Sequence, residues 1–334
     1  MQVIRPVLAI SDLSPSGTNA AWRAALVARD HGVPLRLLHA QPDAAGLPAA
    51  HAALGRLAAE IRDRIGIDVA VQVTQGETLG EAASAAPSAQ LLVIGARRGN
   101  RLREWMLGTQ AERLVRRGRV PVLVVKRTAQ AAYRRVLVAV DLGPAAGDVV
   151  AAAARFSRGP RMEVLHALGT RQELTMRVSG VREPVARSLR EGAAQRARAA
   201  LEEVIAFSGT RMQGVVPSIG YGPPAWLVLS RAHALRAELV VVGKRPRGPL
   251  ADFFLGSVSR QVLTGARADV LVLPAAPKPR RSDFRDQLDL DAGAGRDLRH
   301  AEGAARVRAG GAEHLADQLA GTVHHQVVFG ERAR

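Results

Sequence analysis

The chain has no cysteine among its 334 residues, which excludes disulfides, thiolate metal sites and cysteine nucleophiles together. Aromatic residues make up only 3%, too few for a platform on which successive bases of a single strand could stack. No stretch offers the ~18–20 uncharged apolar residues of a membrane-spanning helix. The apolar run near the N-terminus is short and meets Asp12 at once. No signal peptide is therefore read there, and a cytoplasmic location without a membrane partner is the default expectation. Catalytic signatures are missing as well. There is no G-x-x-x-x-G-K-[ST], no G-x-S-x-G and no H-E-x-x-H, the patterns that would announce a P-loop, a serine elbow or a zinc-activated water. The expectation is a protein that is not an enzyme.

Acidic residues are in short supply: 30 Asp and Glu stand against 47 Lys and Arg, for a net charge of +17. Residues 275–334 hold nearly equal numbers of each sign, so the excess sits in the part that precedes them. A basic surface favours an anionic partner such as nucleotide phosphates or an acidic protein. The scarcity of aromatics argues against nucleic acid. A generally arginine-rich composition accounts for the charge equally well.

What the chain does contain is a repeat. Residues 91–126, LLVIGARRGNRLREWMLGTQAERLVRRGRVPVLVVK, return at 239–274 as LVVVGKRPRGPLADFFLGSVSRQVLTGARADVLVLP. Gly95 and Gly243 stand 148 apart, as do Gly108 and Gly256. Each half opens with an apolar run ending in aspartate, RPVLAISD at 5–12 and RRVLVAVD at 134–141. Uniformly apolar runs suit strands covered on both faces. Ala-rich helical stretches follow at about 18–30 and 145–157. Second strands at 34–40 and 162–168 carry His39 and His166, third strands at 68–74 and 212–219 run into Gly76 and Gly220, and fifth strands are VPVLVVK and ADVLVLP. Strands alternating with helices predict βαβ units and a doubly wound parallel sheet in each half. The opening aspartates are 129 apart and the final blocks 148, so the second half holds an insertion. Its expected host is a longer helix over 182–207, with Val185, Leu189, Ala193, Ala197, Leu201 and Ile205 on one face.

The final block carries most of the chemistry. A strand ending in Gly95 or Gly243 has no Cβ to keep a ligand from the backbone. The later Gly108-Thr109 or Gly256-Ser257 opens a helix whose free N–H groups suit an anion. Arg97, Arg98, Arg101 and Arg103 crowd the first intervening loop, and Lys244, Arg245 and Arg247 the second. Thr109-Gln110-Ala111-Glu112 is also a capping box that needs no ligand. Gly220-Tyr221-Gly222-Pro223-Pro224-Ala225 matches a dinucleotide fingerprint, but it follows a third strand and puts prolines where amides should meet pyrophosphate, so it reads as a tight turn. His39 and His166 stand alone in their copies and read as packing residues, not as metal ligands.

With VLVAVD opening the same half, the VVVG…LGSVS…DVLVLP block resembles the universal stress protein family. The first half resembles it through VLAISD, LLVIG, LGT and PVLVVK, and together the likeness spans about 3–127 and 134–274. The resemblance implies two tandem α/β domains, 1–130 and 131–275, each a doubly wound five-stranded parallel sheet of the adenine nucleotide alpha hydrolase-like kind. A C-terminal tail, 276–334, is expected to lack fixed structure, apart from a short helix near 312–320. ATP-binding members carry G-x-x-G-(nine residues)-G-[S/T], with adenine near the first-strand aspartate and phosphates at the later Gly-Ser. Carried over, the second copy supplies Asp141, Gly243, Gly256, Ser257 and Ser259, and the first supplies Asp12, Gly95, Gly108 and Thr109. Both depart from the motif at its middle glycine, where Arg98 and Pro246 stand. The second copy keeps the better LGSVS and is ranked the ATP site. The implied activity is a stress response through binding ATP or another adenine nucleotide without notable turnover. The fifth strands commonly meet at a dimer interface in the family, which implies an intramolecular pseudo-dimer and leaves further oligomerisation open. The competing reading is a ligand-free interaction module that recruits partners through its basic surface.

Overall fold

Apolar segments such as VLAI, LLVIG, VLVV and DVLVL leave almost no residue exposed. Segments of this kind need cover on both faces, and parallel sheets provide it. In a computed structural model of the protein, residues 5–76, 88–98, 105–106, 120–169, 183–210, 214–244 and 256–274 are described. The first half runs β1 (Val7–Ile10), α1 (Pro15–His31), β2 (Leu35–Gln41), α2 (Leu47–Ile65), β3 (Val69–Gln75), β4 (Leu91–Gly95), a two-residue ladder β5 (Arg97–Arg98) with β6 (Trp105–Met106), and β7 (Val122–Val125). The second runs β8 (Tyr133–Val140), α3 (Ala146–Phe156), β9 (Ser157–Leu168), α4 (Glu183–Phe207), β10 (Val215–Tyr221), α5 (Pro224–Ala234), β11 (Leu239–Gly243), α6 (Ser257–Gly265) and β12 (Asp269–Leu273). The first half's expected last helix and the tail lie outside the described residues.

The main strands form one ten-stranded sheet in the order β10-β9-β8-β11-β12-β7-β4-β1-β2-β3. Within each half every pairing of this sheet is parallel and the topology is the expected doubly wound one. Alternate strand residues feed two cores. Val7, Ala9, Leu91 and Val93 join α1, α2, α3 and α4 on one face, while Leu8, Ile10, Leu92 and Ile94 join α5 and α6 on the other. Helix α1 meets the sheet through Ala20, Ala21, Ala24, Ala25 and Ala28, all fully buried, and such small residues let helix and sheet approach closely.

The insertion in the second half shows in α4, which has 25 residues against 19 in α2. Its apolar stripe enters the core only in part. Ala197, Leu201 and Ile205 are buried, but Val185 and Leu189 are 52% and 47% exposed. A 25-residue helix spans roughly 37 Å and the seven-residue β10 about 23 Å, so the helix outruns the strand it covers.

The two halves join where the fifth strands meet. β7 and β12 pair antiparallel, with Val270 opposite Val124, Leu271 opposite Leu123 and Val272 opposite Val122. All six are buried, so neither apolar strand is left as an edge. One carboxylate anchors this junction. Asp269 is fully buried. It accepts the amides of Lys126 and Arg127 at 2.8 Å each and the Tyr133 hydroxyl at 2.6 Å. Arg23 Nε lies 3.3 Å from its Oδ2, a charge contact too poorly aligned to count as a hydrogen bond. The same guanidinium donates to the Ala131 carbonyl at 2.6 Å and stacks 4.4 Å from the Tyr133 ring centre. Asn19 adds two bonds to the connecting segment, at Arg127 O and Ala129 N. Burial raises the Asp269 and Tyr133 pKa values.

Removing one partner of such a network strands buried charge at a cost of about 3–5 kcal/mol. Asp269→Ala should therefore lower the free energy of unfolding by that amount in urea titration. The double variant Asp269→Leu/Arg23→Met should recover only the part of that loss due to the stranded guanidinium, because the Lys126 and Arg127 amides and the Tyr133 hydroxyl still lack their acceptor.

Candidate functional site

In each half the chain reverses direction between the first and fourth strands, β1 and β4 in one, β8 and β11 in the other. Ligands of open α/β sheets bind outside the carboxyl ends of the strands at such a switch point. Asp12 and Gly95 follow or end β1 and β4, and Asp141 and Gly243 follow or end β8 and β11. Both aspartates are exposed. Each precedes a leucine with positive φ, Leu13 at 59° and Leu142 at 57°. A non-glycine residue there is uncommon and stores strain, and its recurrence shows that both copies make the same turn.

Beyond that turn the copies diverge. In the first, Ser14 caps α1 by accepting the Gly17 amide at 3.2 Å. Asp12 Oδ1 accepts the Ser14 amide at 3.1 Å and also its hydroxyl. The helix starts at Pro15 and seats tightly: a Cβ on Gly95 would come within 2.5 Å of the Ser16 carbonyl oxygen. The space that Gly95 leaves is therefore taken by α1. In the second copy, Gly143 and Ala145 replace Ser14 and Ser16, and Ala146 replaces Gly17. Helix α3 starts only at Ala146 and has no side-chain cap. Among the described residues, a Cβ on Gly243 would meet one side-chain atom, Val149 Cγ2, at 3.2 Å, and no backbone.

The other half of the site is the start of α6. Its N-cap, Gly256, offers no side chain, and its first turn has no acid. The ends of β11 and α6 are tied directly, since Ser259 donates its hydroxyl to the Gly243 carbonyl at 3.3 Å. Ser259 is buried and Ser257 exposed. The fold thus brings Gly243, Gly256, Ser257 and Ser259 together, beside the strand that leads to Asp141. In the first copy, Gly108 and Thr109 fall outside the described residues, as do Pro246 and most of the basic loop residues. Arg98, at the middle-glycine position, is described in its backbone: β5 and β6 pair antiparallel, with Arg98 opposite Trp105.

The histidines are packing residues. His39 Nδ1 lies 2.8 Å from the Ser11 carbonyl, and His166 Nδ1 lies 3.0 Å from the equivalent carbonyl, of Val140. No group of three or more His, Asp or Glu residues suited to a metal ion occurs among the described residues. Gly222 adopts φ 132° and Pro223 caps α5, as a tight turn requires. No helix among the described residues is long and apolar enough to cross a membrane. The junction cluster of Arg23, Lys126, Tyr133 and Asp269 had no signal in the sequence, because its members are not repeated between the copies.

This geometry has relatives. The universal stress protein family matches residues 4–126 and again 132–274. The chain belongs to the universal stress protein family. It is 30% identical over 214 residues to a universal stress protein of Mycolicibacterium smegmatis, across 62% of this chain and 69% of that one. A universal stress protein from Archaeoglobus fulgidus shares the fold at 20% identity and TM-score 0.61, over 83% of this chain and all of its own. A putative family member from Pseudomonas aeruginosa does so at 23% identity and TM-score 0.57, over 81% and 93%. The strand–turn–helix geometry at Asp12 and Asp141 is thus built twice into one universal stress protein.

The unequal glycines can be tested by stability. Gly95→Ala forces backbone apart and should destabilise by about 1–3 kcal/mol, the usual cost of overpacking. Gly243→Ala needs only a valine methyl to shift and should cost under about 1 kcal/mol by the same measure. Urea unfolding of the two single variants compares them directly.

Proposed function

We propose that the second copy binds an adenine nucleotide, with ATP the first candidate, and holds it without notable turnover. The hydrogen bond from Ser259 to the Gly243 carbonyl carries this reading. It fixes an uncapped helix start against a strand end where, among the described residues, only the Val149 side chain lies near the missing Cβ. The amides at Gly256 and Ser257 and the Ser257 hydroxyl take the phosphates, where helix N-termini favour negative charge. Asp141 lies toward the base, its Oδ1 positioned by the Gly143 amide at 3.0 Å. In the first copy α1 fills the space beside Gly95, and the Asp12 carboxylate accepts the hydroxyl of the capping Ser14 as well as its amide. Binding is therefore expected at one site per chain. Tandem domains over 1–130 and 131–275 supply the two unequal copies.

Ser257→Asp separates ligand binding from folding. An acid in the first turn stabilises a helix by about 0.3–1 kcal/mol, yet it repels a phosphate at the same position. The variant should keep or gain stability in urea while nucleotide affinity falls at least about ten-fold, the result of some 1.4 kcal/mol of repulsion. Equilibrium dialysis against ATP, ADP and AMP reads the affinity. If the wild-type chain retains none of them at millimolar concentration, the nucleotide reading fails. Salt-sensitive capture of acidic partners that Ser257→Asp leaves unchanged would then favour the interaction-module alternative.

A further inference from the structure

Helix α6 is held at its far end by the other half of the chain. Lys126, which follows β7 of the first copy, is buried. Its Nζ donates to the carbonyls of Leu263 and Ala266, the latter at 2.8 Å. Leu263 lies in the last turn of α6 and Ala266 is its C-cap. The Lys126 amide meanwhile bonds to Asp269 at the start of β12, so the backbone that carries this side chain is fixed. The first copy reaches α6 a second time, through the backbone of β6. At nine residues, α6 is roughly 13 Å long. The Lys126 contact and the anion-facing start are thus two ends of one short rigid rod.

The geometry points to Lys126 as a positioning residue for the second copy's site: a side chain of the first copy seats α6 and so sets the anion-facing turn at Gly256–Ser259. The role at that site rests on the nucleotide reading above; the seating of α6 does not. Pro274 stands where a second Lys126 would be, so that position of the repeat offers no reciprocal amine.

Burial lowers the Lys126 pKa to about 7, with the Asp269 charge offsetting part of that effect. Among the described residues, the charged groups around it are Asp269 on β12, Arg23 on α1 and the neighbouring Arg127, with Tyr133 on β8; Arg267, in the turn after α6, is exposed. When Lys126 swings out or the chain unfolds, its pKa returns to about 10.4. Between pH 7 and that value the seated state binds fewer protons than the released one, so seating grows more favourable as pH rises through the window. Below pH 7 a cation must be buried to keep α6 in place.

Hydrogen exchange on the full chain without ligand tests the seating. The first protected amide of α6 is Arg260, bonded to the Gly256 carbonyl at 3.0 Å. At pH 8.5 the amides of Arg260–Leu263 should exchange about ten-fold faster in Lys126→Met than in wild type, and the difference should shrink toward pH 6. Exchange in α2, whose residues Leu54, Leu57 and Ile61 belong to the core on the opposite face, should not change. Equal exchange in the two proteins at pH 8.5, or equal acceleration in α2 and α6, would overturn the proposal. If Lys126→Met does not fold, wild type alone decides: protection of Arg260–Leu263, corrected for intrinsic rates, must rise several-fold from pH 6 to 8.5 while that of α2 stays level. Where wild type binds nucleotide, Lys126→Met should bind it several-fold more weakly. Faster α6 exchange together with no nucleotide bound by wild type removes the ligand reading and leaves the seating role standing.

Discussion

Asp269 is the point on which the architecture turns. A fully buried carboxylate is costly unless its lone pairs are taken up, and here two backbone amides, a phenol and a guanidinium surround it. Those partners come from both halves and from the segment between them. They fix the register of the antiparallel β7–β12 ladder, which turns two five-stranded sheets into one of ten. Buried apolar pairs along the ladder supply the driving force, but such pairs tolerate a slip of register. A single carboxylate with three oriented donors and a guanidinium beside it does not. Arg158, which reaches the Asp30 carbonyl at 2.6 Å, and His31, whose ring meets Phe156 edge-on at 4.9 Å, close the same junction between α1 and α3.

In a two-fold dimer of identical chains, a contact from residue i to j is matched by one from j to i. A tandem chain is released from that rule, and the junction shows it. Pro121 and Pro274 stand where counterparts of Asp269 and Lys126 would be, and Ala152 stands in place of Arg23. Among the described residues these polar contacts are made once. The two clefts are unequal for the same reason. Serines and a glycine draw α1 onto β4 in the first half, whereas Gly143, Ala145 and Ala146 delay the start of α3 and leave the end of β11 more open. One fold thus carries one cleft committed to internal capping and another that offers an uncapped helix start.

Much of this was legible in order. The gapless block gave the duplication, the apolar runs the parallel strands, and the 129 and 148 offsets the longer α4. Boundaries were less so. β9 begins at Ser157, directly after α3, where the apolar run suggested 162, because backbone pairing to Tyr133 extends a strand beyond its hydrophobic residues. The α4 stripe was correct as a helical face but not as a core, since a helix longer than its strand carries apolar residues past the sheet. Gly95 and Gly243 looked alike in sequence as places where a ligand could approach. Only the packing distinguishes them, through what occupies the missing Cβ.

By itself, the sequence determined the family, the strand–helix alternation and the pairing of an aspartate with a strand-end glycine in each half, since all of these follow from local pattern and period. The tertiary structure alone decided which polar contacts lock the halves together and which cleft is open. Those outcomes depend on contacts between residues more than a hundred positions apart, such as Lys126 with Asp269 and Arg23 with Tyr133. Such residues share no periodicity, and the charge that links them has meaning only once it is buried.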